Sequence, residues 1–214
     1  MIKITFMGAG STVFLRNVLG DCIYTDALKG MEIALYDIDG QRLEQSAAIL
    51  EAINKGNGCP ASIRSYLGAE NRRKALSGAD FVINAIQVGG YDPCTITDFE
   101  IPKKYGLRQT IGDTLGIGGI MRALRTIPVL EDFARDMEAV CPNAWFLNYT
   151  NPMSMLTGYM LRYTGVKTLG LCHSVQTCSK TLMDAIGMSD RLEGRRELIA
   201  GINHMGWLLS LIHI

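Results

Sequence analysis

Two apolar runs end on side chains that can bind a metal or carry a proton. VKTLGLC runs into Cys172-His173-Ser174, and ELIAGI runs into Asn203-His204-Met205. The chain has 3 histidines, and two of them sit at these two points. Taken singly, Cys172 or His204 is most simply a packing residue with a satisfied hydrogen bond, and a ligand role is open for each. On ligand softness alone, a thiolate with an imidazole suggests zinc or iron. The third histidine, His213, lies in the last apolar run and has no such context.

The elements that must position these residues alternate. IKITFMG has the pattern of a buried strand, and Gly10-Ser11-Thr12 opens a helix through VFLRNVLGDCIY. MEIALYDID predicts a second strand, and QRLEQSAAILEAINK predicts an amphipathic helix ending at Gly56. A short strand near SIRSYL and a weak helix at NRRKAL lead to the strand ADFVINAI. A long glycine-containing connection follows, then a helix over IMRALRTIPVLEDFARDMEAV interrupted at Pro128. AWFLNYT predicts a strand, PMSMLTGYMLRY a helix and VKTLGLC another strand. Ser174 is placed to cap SVQTCSKTLMDAIG, and ELIAGINHM adds a further strand. Strands and helices at this spacing predict an α/β fold with a doubly wound, Rossmann-like parallel sheet. That domain is expected over residues 1–172, with residues 173–214 beginning a second, α+β catalytic domain. GWLLSLIHI stops inside an apolar run, so the end is expected to be a truncation.

The first strand runs into Gly8-Ala9-Gly10-Ser11-Thr12. A glycine turn in that context suits a dinucleotide: Gly8 permits the tight turn, and Gly10 lets the backbone approach a pyrophosphate at the helix N-terminus. Asp37, ending the second strand, can accept hydrogen bonds from an adenosine ribose, and an acid there favours NAD over NADP. Val13 stands where a third glycine is usual, and the gap from Gly10 to Asp37 exceeds the customary ~20 residues. The plain alternative is a strand-to-helix turn with no ligand.

Composition narrows the partners. With 21 basic and 21 acidic residues the formal net charge is zero, which gives no electrostatic case for nucleic acid or an anionic membrane surface. No apolar run approaches the ~18 residues of a membrane span, and the start lacks the pattern of a secretory signal. A reducing cytoplasm is therefore expected. Its 6 cysteines (Cys22, Cys59, Cys94, Cys141, Cys172, Cys178) then read as free thiols, with Cys178 buried. Arg122, Arg125 and Arg135 on the long helix read as a solvated face, with Arg122 near enough to the glycine loop to reach a ligand.

Taken together and in order, ITFMGAGST, ALYDID, QVGGYDPCTITDFE, TLGIGGIMRALRTIP, NYTNPM, GLCHS and GINHM resemble the NAD- and manganese-dependent glycoside hydrolases of family 4, most of all their melibiase-type α-galactosidase branch. The family departs from two-carboxylate glycosidase chemistry. The resemblance implies that NAD oxidises the sugar at C3, a base removes the C2 proton, the aglycone is eliminated, water adds, and hydride returns. It implies Cys172 and His204 as ligands of a divalent metal, Mn2+ in the family, which polarises the C2 and C3 oxygens. His173 matches the position of the leaving-group acid, a role an imidazole can fill near neutral pH. Asn148 and Asn151 match a segment touching substrate and nicotinamide, and Asp113 matches an acidic position near the sugar. Members acting on 6-phosphorylated sugars carry an arginine where this chain has Cys94, so an unphosphorylated α-galactoside is implied, with α-glucoside or α-glucuronide behind it. The family's catalytic base is a tyrosine from a segment beyond Ile214. None of the 8 tyrosines here matches it, so the isolated chain is expected to be inactive and the full-length protein to form homo-oligomers.

Two other classes share the scaffold. A 2-hydroxy-acid dehydrogenase of the lactate/malate type has an Asn-Pro after a similar strand but needs a His-Asp pair and no metal cysteine. A domain that only binds NAD and mediates subunit contacts needs neither histidine. GLCHS and GINHM favour the hydrolase.

Overall fold

The computed structural model describes residues 1–58, 61–191 and 195–213. Its centre is a strand buried on both faces. β1 (Lys3–Met7) sits between β2 (Glu32–Asp37) and β4 (Phe81–Asn84), parallel to both, with Thr5 opposite Ala34 on one side and Val82 on the other. Alternate residues serve opposite cores, which is why the run after Lys3 is mainly apolar rather than alternating. Ile4 and Phe6 pack with Leu15, Leu35 and Leu50, whereas Met7 packs with Leu130, Phe133 and Phe146. Past Lys3, the polar member Thr5 is fully buried and donates its hydroxyl proton to the Ala75 carbonyl at 2.8 Å.

β3 (Ser62–Leu67), β5 (Trp145–Asn148) and β6 (Lys167–Gly170) complete a six-stranded parallel sheet in the order β3-β2-β1-β4-β5-β6. This is the doubly wound order, with its reversal between β1 and β4, where such sheets bind ligands. α1 (Thr12–Tyr24) and α2 (Gly40–Gly56) contribute to the first core. α3 (Arg72–Leu76), α5 (Gly116–Val140) and α6 (Met153–Tyr163) contribute to the second. α3 is tied to α5 by Asp136, whose two oxygens accept from Arg72 Nε at 2.6 Å and Arg73 Nε at 2.7 Å. Arg72 also lies 5.1 Å above the Phe133 ring.

Three elements differ from the expectation. The glycine-containing connection holds a helix of its own, α4 (Ile96–Lys104), whose Asp98 is buried toward α5. α5 runs unbroken through Pro128. The carbonyl that Pro128 cannot serve belongs to Leu124, an exposed residue. The run ELIAGINHM is not a single further strand. β7 (Arg195–Ile202) turns through Asn203-His204 into β8 (Met205–His213), an antiparallel hairpin that forms a separate two-stranded sheet. Ser174 is the first helical residue of α7 (Ser174–Ala185), so the cap position falls to His173. The main sheet ends at Gly170, two residues before the expected domain boundary. No helix among the described residues is long and apolar enough to cross a membrane.

Candidate active site at the carboxyl edge of the sheet

Every loop that leaves the carboxyl ends of β1, β4, β5 and β6 meets at one cavity of about 290 Å³. From β1 comes the glycine turn. Gly8 has φ +87°, and a Cβ on it would sit 2.8 Å from the backbone of Ala85, so only glycine lets the turn lie against the β4 loop. Gly8 and Ala9 both donate to the Tyr36 carbonyl at 3.0 Å. Asp37 braces the same turn: Oδ2 accepts from Gly10 N–H at 2.6 Å, and Oδ1 from Asp39 N–H at 2.9 Å. A carboxylate has about four lone-pair positions, so two stay open to a ligand. Ser11 lines the cavity and makes no capping bond to α1, which has no acidic residue in its first turn. Thr12 is turned away, its hydroxyl 3.0 Å from that of buried Ser46 on α2.

β5 delivers the Asn-Pro segment over a buried polar network. Asn148 has no exposed surface, and all four of its amide positions are engaged. Oδ1 accepts from Asn84 Nδ2 at 2.9 Å and Thr150 N–H at 3.1 Å, while Nδ2 donates to Thr150 O and Thr157 Oγ1, each at 3.3 Å. It therefore positions the cavity wall and does not itself reach the cavity. Asn84 Oδ1 is buried without a partner among the described residues. Asn151 does line the cavity.

Cys172, His173 and His204 line the same cavity. Cys172 Sγ lies 3.1 Å from Ser174 Oγ and 3.7 Å from His204 Nε2. His204 holds φ +65°, an uncommon conformation for a residue other than glycine, at the hairpin tip. Its neighbour Asn203 fixes that tip. Asn203 Oδ1 accepts from the Ser154 hydroxyl at 2.9 Å, and Nδ2 donates to Asn151 Oδ1 at 3.1 Å. Thus the two candidate ligands come from different sheets, and Asn203 docks one sheet onto the other. Among the described residues His204 Nδ1 is buried with no partner. Among the described residues no group of three or more His, Cys, Asp or Glu side chains is placed to hold an ion, so the pair would need outside donors.

α5 adds residues of two kinds. Arg125 is engaged by the buried Asp98 carboxylate through both Nη atoms, at 2.6 and 3.3 Å, which raises its pKa. Arg122 lines the cavity, and among the described residues its guanidinium makes one hydrogen bond, from Nη1 to Asp113 Oδ2 at 3.4 Å. Neither belongs to a solvated face, and only Arg135 fits that expectation. Asp113 reaches the site through Arg122. Cys178 is exposed rather than buried, Cys141 is a packed thiol whose pKa burial pushes to about 11, and Cys59 and the His213 side chain lie outside the described residues.

Residues 3–188 match the model of the family 4 glycosyl hydrolases, most of the chain. The chain belongs to family 4 of the glycosyl hydrolases. An α-galactosidase of Bacillus subtilis strain 168 is 63% identical over 211 residues, covering 99% of this chain and 48% of that protein. An α-galactosidase of Rhizobium meliloti strain 1021 is 38% identical over 211 residues, covering 98% and 42% respectively. The chain thus spans about half the length of the curated relatives it matches. A 6-phospho-β-glucosidase of Thermotoga maritima, solved with manganese, NAD+ and glucose-6-phosphate, superposes with a TM-score of 0.82 at 24% identity, over 100% of this chain and 49% of that one. A lactate dehydrogenase of Eimeria maxima superposes at 0.68 and 14% identity, covering 100% and 57%. At those identities the likeness is one of fold, which is why a dehydrogenase reading shares the scaffold.

For a family 4 chain, the residues present fit both groups on their own chemistry. The uncapped α1 N-terminus, free of acidic side chains and reached across glycines, suits a pyrophosphate. The facing thiol and imidazole, with a buried imidazole nitrogen lacking a partner among the described residues, suit an ion completed by substrate and water. Sequence reasoning gave Asn84, Asn203 and Ser174 no role at the site, and it treated Arg122 mainly as surface that could still reach a ligand. Only the fold shows which neutral or cationic side chain faces a cavity.

Proposed function

We propose that the protein is a hydrolase of unphosphorylated α-galactosides, with NAD as a bound redox partner and a divalent cation, Mn2+ first, at Cys172 and His204. The observation that carries this reading is the 3.7 Å approach of Cys172 Sγ to His204 Nε2 on the wall of a cavity shared with the glycine turn. It is supported by the α-galactosidase name of the relative at 63% identity and by the manganese and NAD+ of the Thermotoga structure. When bound, NAD supplies reversible hydride acceptance and the cation polarises sugar oxygens.

The chain's own residues have separable tasks. The glycine turn, through Gly8, Gly10 and Ser11, admits the pyrophosphate, while Thr12 fixes α1 to α2 beside it. Asp37 keeps its two free lone-pair positions for the ribose. Asn148 sets the wall on which Asn151 meets the substrate. His173, exposed on the cavity, is the group that gives a proton to the leaving oxygen. The neutral-sugar preference rests on Cys94 and on Arg125, whose guanidinium is already held by Asp98 and is not free for a phosphate. A thiolate ligand also suits a reducing compartment, which favours the cytoplasm.

The test is release of nitrophenol from an aryl α-galactoside by the polypeptide translated from the complete gene, with NAD, Mn2+ and thiol reductant omitted in turn. The reading expects cleavage that needs all three and no net NADH. Cleavage indifferent to NAD and metal would overturn it, and NADH accumulating with a 2-hydroxy acid would favour the dehydrogenase.

A further inference from the structure

A second cavity, of about 900 Å³, lies on the other side of Cys172 and His204. Both residues, with Asn203, line this cavity and the 290 Å³ one, so the three form a frame between them. The chain itself crosses the frame. Of the two cavities, Cys172 lines both, His173 the smaller and Ser174 the larger. Leu182 of α7, Ile199 of β7, Leu208 of β8 and Ile111 wall the larger one. Space is left because the hairpin meets it with Gly201 paired to Gly206. Gly201 has φ +131°, and a Cβ on it would run into the Met205 carbonyl oxygen, so no side chain can fill that place. Among the described residues no lysine or arginine lines the cavity. The acid Glu197 does, accepting from the buried Ser179 hydroxyl at 2.6 Å. Aliphatic walls with an acid and no basic side chain suit a neutral, largely apolar group.

We propose that this cavity is the leaving-group subsite and takes a neutral aglycone, an aryl group best of all. The inference rests on the glycosidase reading above and adds where the other half of the substrate lies. A glycoside held by an ion on Cys172 and His204 is bound in the frame. The bond that breaks must lie beside the proton donor, and His173 stands where the chain passes from one cavity to the other. The smaller cavity already receives the sugar and the nicotinamide end of the cofactor. At 290 Å³ it falls below the ~300–1,000 Å³ of pockets that hold a drug-sized ligand, which leaves little room for an aglycone as well. The aglycone therefore extends through the frame, and burial of its carbon surface against the aliphatic walls adds affinity.

The experiment is calorimetric titration of phenyl and methyl α-galactopyranoside into the polypeptide translated from the complete gene, loaded with Mn2+ and NADH. NADH fills the cofactor place and cannot accept hydride, so neither glycoside is consumed. The wild type should bind the phenyl glycoside about tenfold more tightly than the methyl one, as burial of a ring implies. Leu208→Ala removes part of one wall, and Leu182→Trp fills the space from the α7 side. Each should narrow the preference about fivefold and leave the methyl glycoside within about twofold of wild type. Titration of each unloaded variant with NAD shows that the fold is kept. A wild type indifferent to the aglycone, or a preference unchanged in a variant that still binds NAD, overturns the subsite and leaves the glycosidase reading standing. Equal loss of both glycosides in such a variant also overturns it, since the wall would then support the frame and not the aglycone. A wild type that binds NAD but neither glycoside overturns both.

Discussion

Ser174 is placed to support the candidate metal site from behind. Its hydroxyl lies 3.1 Å from Cys172 Sγ, close enough to donate to a thiolate and hold its orientation. Groups in that position behind a metal ligand cost about 10–100-fold in affinity when removed. Ser174→Ala is therefore expected to weaken Mn2+ binding by that range while NAD binding stays unchanged. The loss of the free Mn2+ paramagnetic signal on titration measures it, and unchanged affinity would place Ser174 outside the site. The cysteine and histidines were legible in the sequence because their types are rare and end apolar runs. Asn203 was not. Its value lies in bonds to Ser154 and Asn151, about fifty residues earlier, and no local pattern announces a contact at that separation. Arg125 was misread, and Arg122 only half read, for the same reason. A helical arginine looks solvated until α4, hidden in an irregular glycine-containing stretch, is seen to bring Asp98 against one of them.

At the scale of elements, the joint between α3 and α5 holds the cavity wall that α5 provides. Asp136 is 9% exposed and is shared by Arg72, itself 16% exposed, and Arg73. Burial pushes its carboxyl up, but the hydrogen bonds from Arg73 and Arg72 outweigh that and hold its pKa below the ordinary 3.8. A lowered native pKa means the contribution to stability is complete above the ordinary value and is lost as pH falls through the native one. Asp136→Ala leaves Arg72 enclosed without its partner and should cost about 3 kcal/mol at neutral pH. Denaturant melts between pH 7 and pH 2 should show wild type and variant converging below pH ~4. A gap that stays constant across that range would mean the pair adds nothing through its charge. Helix and strand types were readable along most of the chain, since periodicity reports burial. Pro128 misled because a proline is tolerated where its orphaned carbonyl reaches water, and exposure of Leu124 is a property of the fold.

At the scale of the molecule, the parallel sheet was legible from the alternation of elements, but the relation of the hairpin to it was not. ELIAGINHM has the pattern of one more buried strand, and pairing partners are settled by contacts that the pattern does not encode. The consequence is that the two candidate ligands belong to separate sheets: Cys172 follows β6, and His204 tips the β7–β8 turn. An ion held by both would join the hairpin to the sheet and stabilise the whole. That is the most direct test of the account. Thermal unfolding is followed with and without Mn2+ for the wild type, Cys172→Ser and His204→Gln. At one hundred times its dissociation constant the ion should add about 2.7 kcal/mol to the wild type. For a chain of this size that is a rise in Tm of roughly 5–10 °C. Both variants should gain little or nothing. A wild type unmoved by Mn2+, or variants that gain as much as it does, would contradict a metal centre at Cys172 and His204.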